Sequence, residues 1–429
     1  MRHIASDRRA TTAHSNPYSS SRVVGCMLSL EAILEARPRV RETSRHTPCE
    51  YSHTFSAMTG AEIHLKLENQ QRTGAFKIRG ATNRIATLTQ AEKDAGVVTA
   101  SAGNHAQGVA LAATRTGVDS KIVMPENAPI AKVKATKNYG ASVVLHGVDY
   151  SEAAERAHEI EREEDRTYLH AFDDPDVMAG QGTIGLEILE DCPEVETVVV
   201  PIGGGGLISG IATAIKEQRP DVRVIGVQAE GASSAASSLE KGELVTLDSV
   251  DTVADGIATR SIGEQTFPII QERVDEVVTV SDAQIATALV QLLERSKTLV
   301  EGAGAVPLAA VLFERFDYED DEVIVPALCG GNIDMNMLST VIVRGLVETG
   351  RYLKIRTVLE DRPGALEDLL DIFSAHRANI YGIQHDRTSR DISMSDTEVE
   401  IDLEMRGHDH VAEFLEDLRS EGYEVDVLV

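Results

Sequence analysis

From about residue 60 to residue 345, short apolar stretches alternate with helix-patterned ones. This alternation constrains the fold more than any other feature of the chain. GVVTA, SKIVMP, ASVVLHG, TVVVPIG, VRVIGVQAE, EVVTV and EVIVPALCGG read as strands, each followed by a small-residue turn and a helical period. Strands that alternate with helices imply an α/β fold with mostly parallel sheets covered on both faces. Trp is absent and aromatics are 4% of the chain, so the core must be aliphatic. A helical pattern, LSLEAILEARPRV, precedes this region.

The last 77 residues differ. LKIRTVLE, NIYGIQHDR, TEVEIDLEMRG and YEVDVLV read as strands. In the third, Val399, Ile401, Leu403 and Met405 alternate with Glu398, Glu400, Asp402 and Glu404, which gives one wet face. Leu366, Leu369, Leu370 and Phe373 mark one helix, and Val411, Phe414, Leu415 and Leu418 another. The order is βαββαβ, a ferredoxin-like unit. At 429 residues the chain has room for two or three domains. The expected division is a disordered tail at 1–26, a main domain at 27–347 and a smaller one at 352–429. Met27 is a candidate for the true start of the chain.

The net charge is -28, with 11 lysines against 30 arginines. Phosphate backbones need clustered cations, so nucleic acid and anionic membrane are excluded as expected partners. An acidic, lysine-poor surface suits a salt-rich cytoplasm, where screening removes self-repulsion. Cys26, Cys49, Cys192 and Cys329 show no CxxC spacing and the histidines no HExxH pair. That spacing offers no disulfide framework and no metal site. No run of 18 apolar residues is present.

Three glycine-bearing turns follow expected strands: SAGNHAQG (Ser101–Gly108), GGGGL (Gly203–Leu207) and CGGN (Cys329–Asn332). In parallel α/β sheets, ligands bind at such strand ends. GGGGL lets backbone N–H groups converge at a helix start, a phosphate cradle. A dinucleotide loop GxGxxG fails, because Ile208 or Ser209 stands where the third glycine belongs. No GKS or GKT follows, so a nucleotide loop fails too. Earlier, TGAFKIRGA sets Lys77 between Phe76 and Ile78. Such a lysine either packs its stem with its ammonium in water, or is a partly dry amine of lowered pKa.

GAFKIRGA, TASAGNHAQGVA, PIGGGGLISG and CGGN, in this order and spacing, resemble the fold-type II pyridoxal-phosphate enzymes, and among them the threonine dehydratases (threonine ammonia-lyases). The resemblance spans Met27 to Val347. The C-terminal unit with DRPGAL resembles an ACT domain, an amino-acid-sensing module. The resemblance implies a two-lobed catalytic domain with parallel sheets. It implies pyridoxal 5'-phosphate as cofactor, with Lys77 as Schiff-base lysine and acid/base at the substrate's α carbon. Phe76 would flank the ring, Asn104 would bond its phenolic oxygen, and Gly203, Gly204, Gly205, Gly206 and Leu207 would hold the phosphate. Ser101, Ala102, Gly103, Asn104 and His105 would offer N–H groups to the substrate carboxylate. For His105 itself, a packed loop histidine is an equal alternative. Cys329 would face the pyridine nitrogen, or else be a small buried hydrophobe.

The implied reaction is dehydration and deamination of L-threonine to 2-oxobutanoate and ammonia, and of L-serine to pyruvate. Serine racemases, which are similar, carry a hydroxyl residue where Ala102 stands, so elimination is expected over racemisation. They also bind a metal through carboxylates where this chain has Gln228, Ala232 and Ser234, with Glu230 nearby; no metal is expected. Asp361 and Asn379 match ACT effector positions, and the helix start after Pro363-Gly364 either holds the effector's carboxylate or merely begins a helix. An amino-acid effector, isoleucine or valine, and a homo-oligomer, dimer or tetramer, are expected. The alternatives are a racemase, a β-replacement enzyme, and a sensor with an inactive catalytic half.

Overall fold

The computed structural model describes residues 28–388, 393 and 395–429. The expected tail at 1–26, Met27 and Cys26 lie outside them. The first ten strands are β1 (Cys49–Tyr51), β2 (Glu62–Lys66), β3 (Val97–Ala100), β4 (Ser120–Met124), β5 (Ser142–Leu145), β6 (Thr167–Tyr168), β7 (Thr197–Pro201), β8 (Arg223–Ala229), β9 (Glu276–Val280) and β10 (Val323–Pro326). They form two sheets. One runs β1-β2-β10-β7-β8-β9 and the other β5-β4-β3-β6. Every pairing in them is parallel except β1 with β2.

All seven expected strands are present. β1, β2 and β6 were not expected. β1 and β6 have three and two residues, too few to show a period. In β2, Ile63 and Leu65 alternate with His64 and Lys66, but Lys66 is fully buried. Its ammonium donates to Glu187 at 2.8 Å and to the Thr47 carbonyl at 2.7 Å. A charge buried by pairing breaks the apolar pattern that marks a strand.

The large sheet is aliphatic throughout. β7 and β10 are buried at every residue, as strands covered on both faces should be. The helix Gly206–Lys216 packs along the helix Pro175–Asp191, which begins at the Asp174 cap and Pro175. The helix Leu30–Thr43, capped by Ser29, lies against Pro175–Asp191. The smaller sheet has its own core, including Ile85, Val109, Ile122 and Leu169.

After the helix Met335–Glu348 the chain enters β11 (Tyr352–Glu360), then β12 (Asn379–Asp386), β13 (Asp396–Glu404) and β14 (Val425–Val427). The sheet order is β12-β13-β11-β14, antiparallel throughout. Helices Ala365–His376 and His408–Ser420 cover one face, where Ile355 of β11 and Ile401 of β13 share a core with Phe373 and Phe414. On the wet face Glu400 pairs with Arg356 at 2.8 Å and Lys354 at 3.0 Å. Among the described residues, no helix is long and apolar enough to cross a membrane.

Candidate active site

Lys77 opens the helix Lys77–Ala86 and is half-buried. Its Nζ donates to the Ala171 carbonyl at 2.8 Å and lies 5.1 Å from the Phe76 ring centroid. Burial lowers its pKa to about 8, partly opposed by the Glu301 carboxylate. The amine is therefore not a solvated surface cation. Gly108 keeps it in place from behind. A Cβ there would stand 3.0 Å from the backbone of Lys77 and Ile78, so the helix Asn104–Thr116 can approach only without one.

The glycine turn lies next to this amine. Phe172, the neighbour of Ala171, packs against Gly204, where a Cβ would fall 2.3 Å from the ring. Gly205 has φ +95°. The Gly204 carbonyl accepts from Thr266 Oγ1 at 2.8 Å and Gly263 N at 3.1 Å, and the Gly205 carbonyl from Ser209 N at 2.9 Å. Among the described residues, the N–H groups of Gly203 through Leu207 have no protein acceptor. Carbonyls are tied away and N–H groups are left at a helix start, which is the polarity an anion needs. Leu207 is buried behind the turn. The turn and the lysine thus fit an aldehyde cofactor carrying a phosphate.

The Ser101 hydroxyl accepts from Gly103 N at 3.2 Å and Ala106 N at 3.3 Å, and Ser101 N donates to Val123. Among the described residues, the N–H groups of Ala102, Asn104 and His105 keep no protein acceptor. The His105 ring is buried and donates from Nε2 to the Leu169 carbonyl at 3.1 Å. Burial and Lys77 push its pKa down to about 3, so the ring is neutral. This is the packed-histidine alternative for its side chain.

Cys329 follows β10 and is buried; its carbonyl accepts from Phe76 N at 3.1 Å. Burial and Glu301 raise its thiol well above the usual range, so it stays protonated.

The site also includes Glu301, which no motif reaches, and Asn332, which closes the CGGN turn. Glu301 precedes the helix Gly302–Leu312. Its Oε1 accepts from Asn104 Nδ2 at 2.7 Å, and burial raises its pKa to about 7, with Asn104 opposing. Asn104 Oδ1 in turn accepts from Asn332 Nδ2 at 2.8 Å. The signal for Glu301 was in VEGAGAV, an acid set in an apolar, small-residue run, the same pattern that drew attention to Lys77. The residues compared with a metal site lie elsewhere. Gln228 is buried and accepts from Ala235 and Ala236 N, while Glu230 pairs loosely with Arg315 at 3.7 Å.

In the C-terminal unit, a cavity of about 170 Å³ is lined by Asp361, Gly364, His385, Arg387 and Thr397. Arg387 donates to both Asp361 oxygens at 2.9 and 3.0 Å. Asn379 does not line it; its amide donates to Glu404 at 3.0 Å.

The chain is similar to known proteins over most of its length. Residues 40–330 match the family model described as pyridoxal-phosphate dependent enzyme. An L-threonine ammonia-lyase of Geobacter sulfurreducens is 52% identical over 94% of this chain and 100% of its own length. The solved threonine deaminase isoform 2 of Solanum lycopersicum, in its processed form, is 37% identical with a TM-score of 0.71, over 76% of this chain and 98% of that one. Maize serine racemase is 36% identical with a TM-score of 0.70, over 73% of this chain and 98% of its own. With its lysine, its glycine turn and this match over most of its length, the chain belongs to the family of pyridoxal-phosphate-dependent enzymes.

Proposed function

We propose that the protein converts L-threonine to 2-oxobutanoate and ammonia, and L-serine to pyruvate, by β-elimination. The observation that carries this reading is the half-buried amine of Lys77, held on Ala171 beside the Phe172-packed glycine turn. Pyridoxal phosphate, when bound, supplies an electron sink for the carbon that loses its proton. Lys77 anchors that cofactor and takes the α proton. Gly203, Gly204, Gly205, Gly206 and Leu207 hold the phosphate, and Phe76 flanks the ring. Asn104, positioned by Glu301 and Asn332, bonds the ring's oxygen. Cys329, kept protonated by burial, would face the pyridine nitrogen and leave it uncharged, which suits prompt loss of the hydroxyl. The loop Ser101–His105 holds the substrate carboxylate through its N–H groups. Ala102 has no proton to exchange, and the His105 ring is turned to Leu169. That loop offers no second base, so racemisation is disfavoured.

A neutral Lys77 is the active base. Turnover should therefore rise with pH, roughly tenfold per unit below about 8, and level above it. Measuring 2-oxobutanoate release from L-threonine across pH tests this. Absence of product, or release of D-serine from L-serine, would refute the reading.

We further propose that residues 27–347 form the catalytic domain and 352–429 an ACT domain. Asp361 and the helix start at Gly364 bind an amino acid such as isoleucine or valine, with Asn379 acting from β12. Regulation of this kind is shared across a homo-oligomer, a dimer or tetramer, in a salt-rich cytoplasm. Asp361→Ala should remove the change in threonine turnover caused by the effector and leave basal turnover intact. An unchanged response would place the effector elsewhere.

A further inference from the structure

Away from the catalytic cleft, the antiparallel edge of the large sheet meets the end of the helix Pro175–Asp191. Cys192 caps that helix, donating its N–H to Ile188, and is fully buried. A tight turn follows, in which Val195 N donates to the Cys192 carbonyl. The turn brings Glu194 back beside the thiol. His64 reaches the same point from β2. A ring nitrogen of His64, Cys192 Sγ and a Glu194 carboxylate oxygen all lie within 4.8 Å of one another.

The imidazole is already fixed in place. Its Nε2 donates to Glu62 Oε1 at 2.9 Å, and Tyr51 packs edge-on at 5.3 Å. A carboxylate behind a histidine is the usual way a ligand ring is oriented. The register pairs Tyr51 with His64 and Cys49 with Lys66, so Cys49 adds a second thiol on the same sheet face. His64 and Glu194 are not sealed in, so an ion can enter.

We propose that His64, Cys192 and Glu194 form a binding site for a divalent cation of the zinc class. One sulfur, one nitrogen and one oxygen donor suit a borderline-soft ion. Calcium and magnesium, which want all-oxygen shells, are disfavoured. Binding exchanges the thiol proton, released to water, for the metal–sulfur bond. A thiolate and a carboxylate balance the two positive charges. The ion ties β2 to the end of a helix 128 positions later in the chain (His64 to Cys192), so its role is to staple tertiary structure. It takes no part in the catalytic chemistry.

The test uses the full-length holoenzyme, stripped with a chelator and kept reduced with a phosphine, then titrated with Co2+. The expected result is one cobalt per chain, with a thiolate-to-cobalt charge-transfer band in the difference spectrum that Zn2+ abolishes. Cys192→Ser and His64→Ala should each weaken binding beyond the ~10–100-fold typical of losing a residue behind a ligand. Cys329→Ser, whose thiol lies in the catalytic site, should keep the band. Substoichiometric binding would overturn the proposal. So would a band that survives both site variants, or one lost in Cys329→Ser. If Cys192→Ser fails to fold, His64→Ala alone decides.

Discussion

Lys77→Ala is expected to abolish 2-oxobutanoate release, with kcat falling by at least about 10⁴-fold, the upper range for a general base, because the proposed function gives the same amine the anchoring of the cofactor as well. The contrast with Lys66 shows why no neighbour replaces it. Lys66 is fully buried, but its ammonium is spent on Thr47, Glu187 and Asp191. Those partners hold it in one position. Lys77 has one carbonyl partner and a pKa lowered to about 8. The first arrangement is a structural ion pair, and the second leaves the amine available for the proposed chemistry. Lys77→Arg should be equally inactive, since a guanidinium stays charged. Circular dichroism should show both variants folded. Turnover within tenfold of the native rate would place the base elsewhere.

Arg79→Ala is expected to destabilise the fold by about 3–5 kcal/mol, the cost of stranding buried charges. Arg79 is 1% exposed. Its Nε and Nη2 grip Glu68 at 2.9 and 2.7 Å, and Nη1 and Nη2 grip Glu187 at 2.7 and 2.8 Å. Burial pulls its pKa down, but Glu68 and Glu187 outweigh this and hold it raised. Arg79→Lys should not rescue, because a point charge cannot fork to two carboxylates. The same network sets an acid limit. Burial works to raise the pKa of Glu187, yet Arg79 and Lys66 hold it down at about 2, against 4.5 for a free carboxyl. Its contribution to stability is fully present above pH 4.5 and is lost as the pH falls toward 2. Urea unfolding at several pH values measures both effects. Because Arg79 and Lys77 share one helix, loss of the grip should also lower turnover at temperatures where the variant is still folded.

Much of the fold was legible in local sequence. The seven long βα strands and the βαββαβ ending follow from periodicity alone. Each is set by burial of alternate or consecutive apolar side chains, which a short window reveals. The glycine turn stood out locally, as four glycines after a strand, whereas the residues around Lys77 left two readings open and its expected role came from the family resemblance. Glu301, 224 positions beyond Lys77, was missed because only folding brings it to Asn104. The Lys66, Glu68, Arg79 and Glu187 network was missed for a related reason. Each charge looks like a surface residue until its partner, up to 121 positions away, is known. His64 and Cys192 likewise carry no spacing signal, and only β2 and the end of a helix bring them together. The sequence alone determined most of the segments that become strands and helices and where four glycines turn the chain into a helix start, because those properties depend on neighbours along the chain. The tertiary structure alone decided which charges are buried in pairs and which titratable groups meet, because electrostatic interaction depends on distance in space and not on position in the chain.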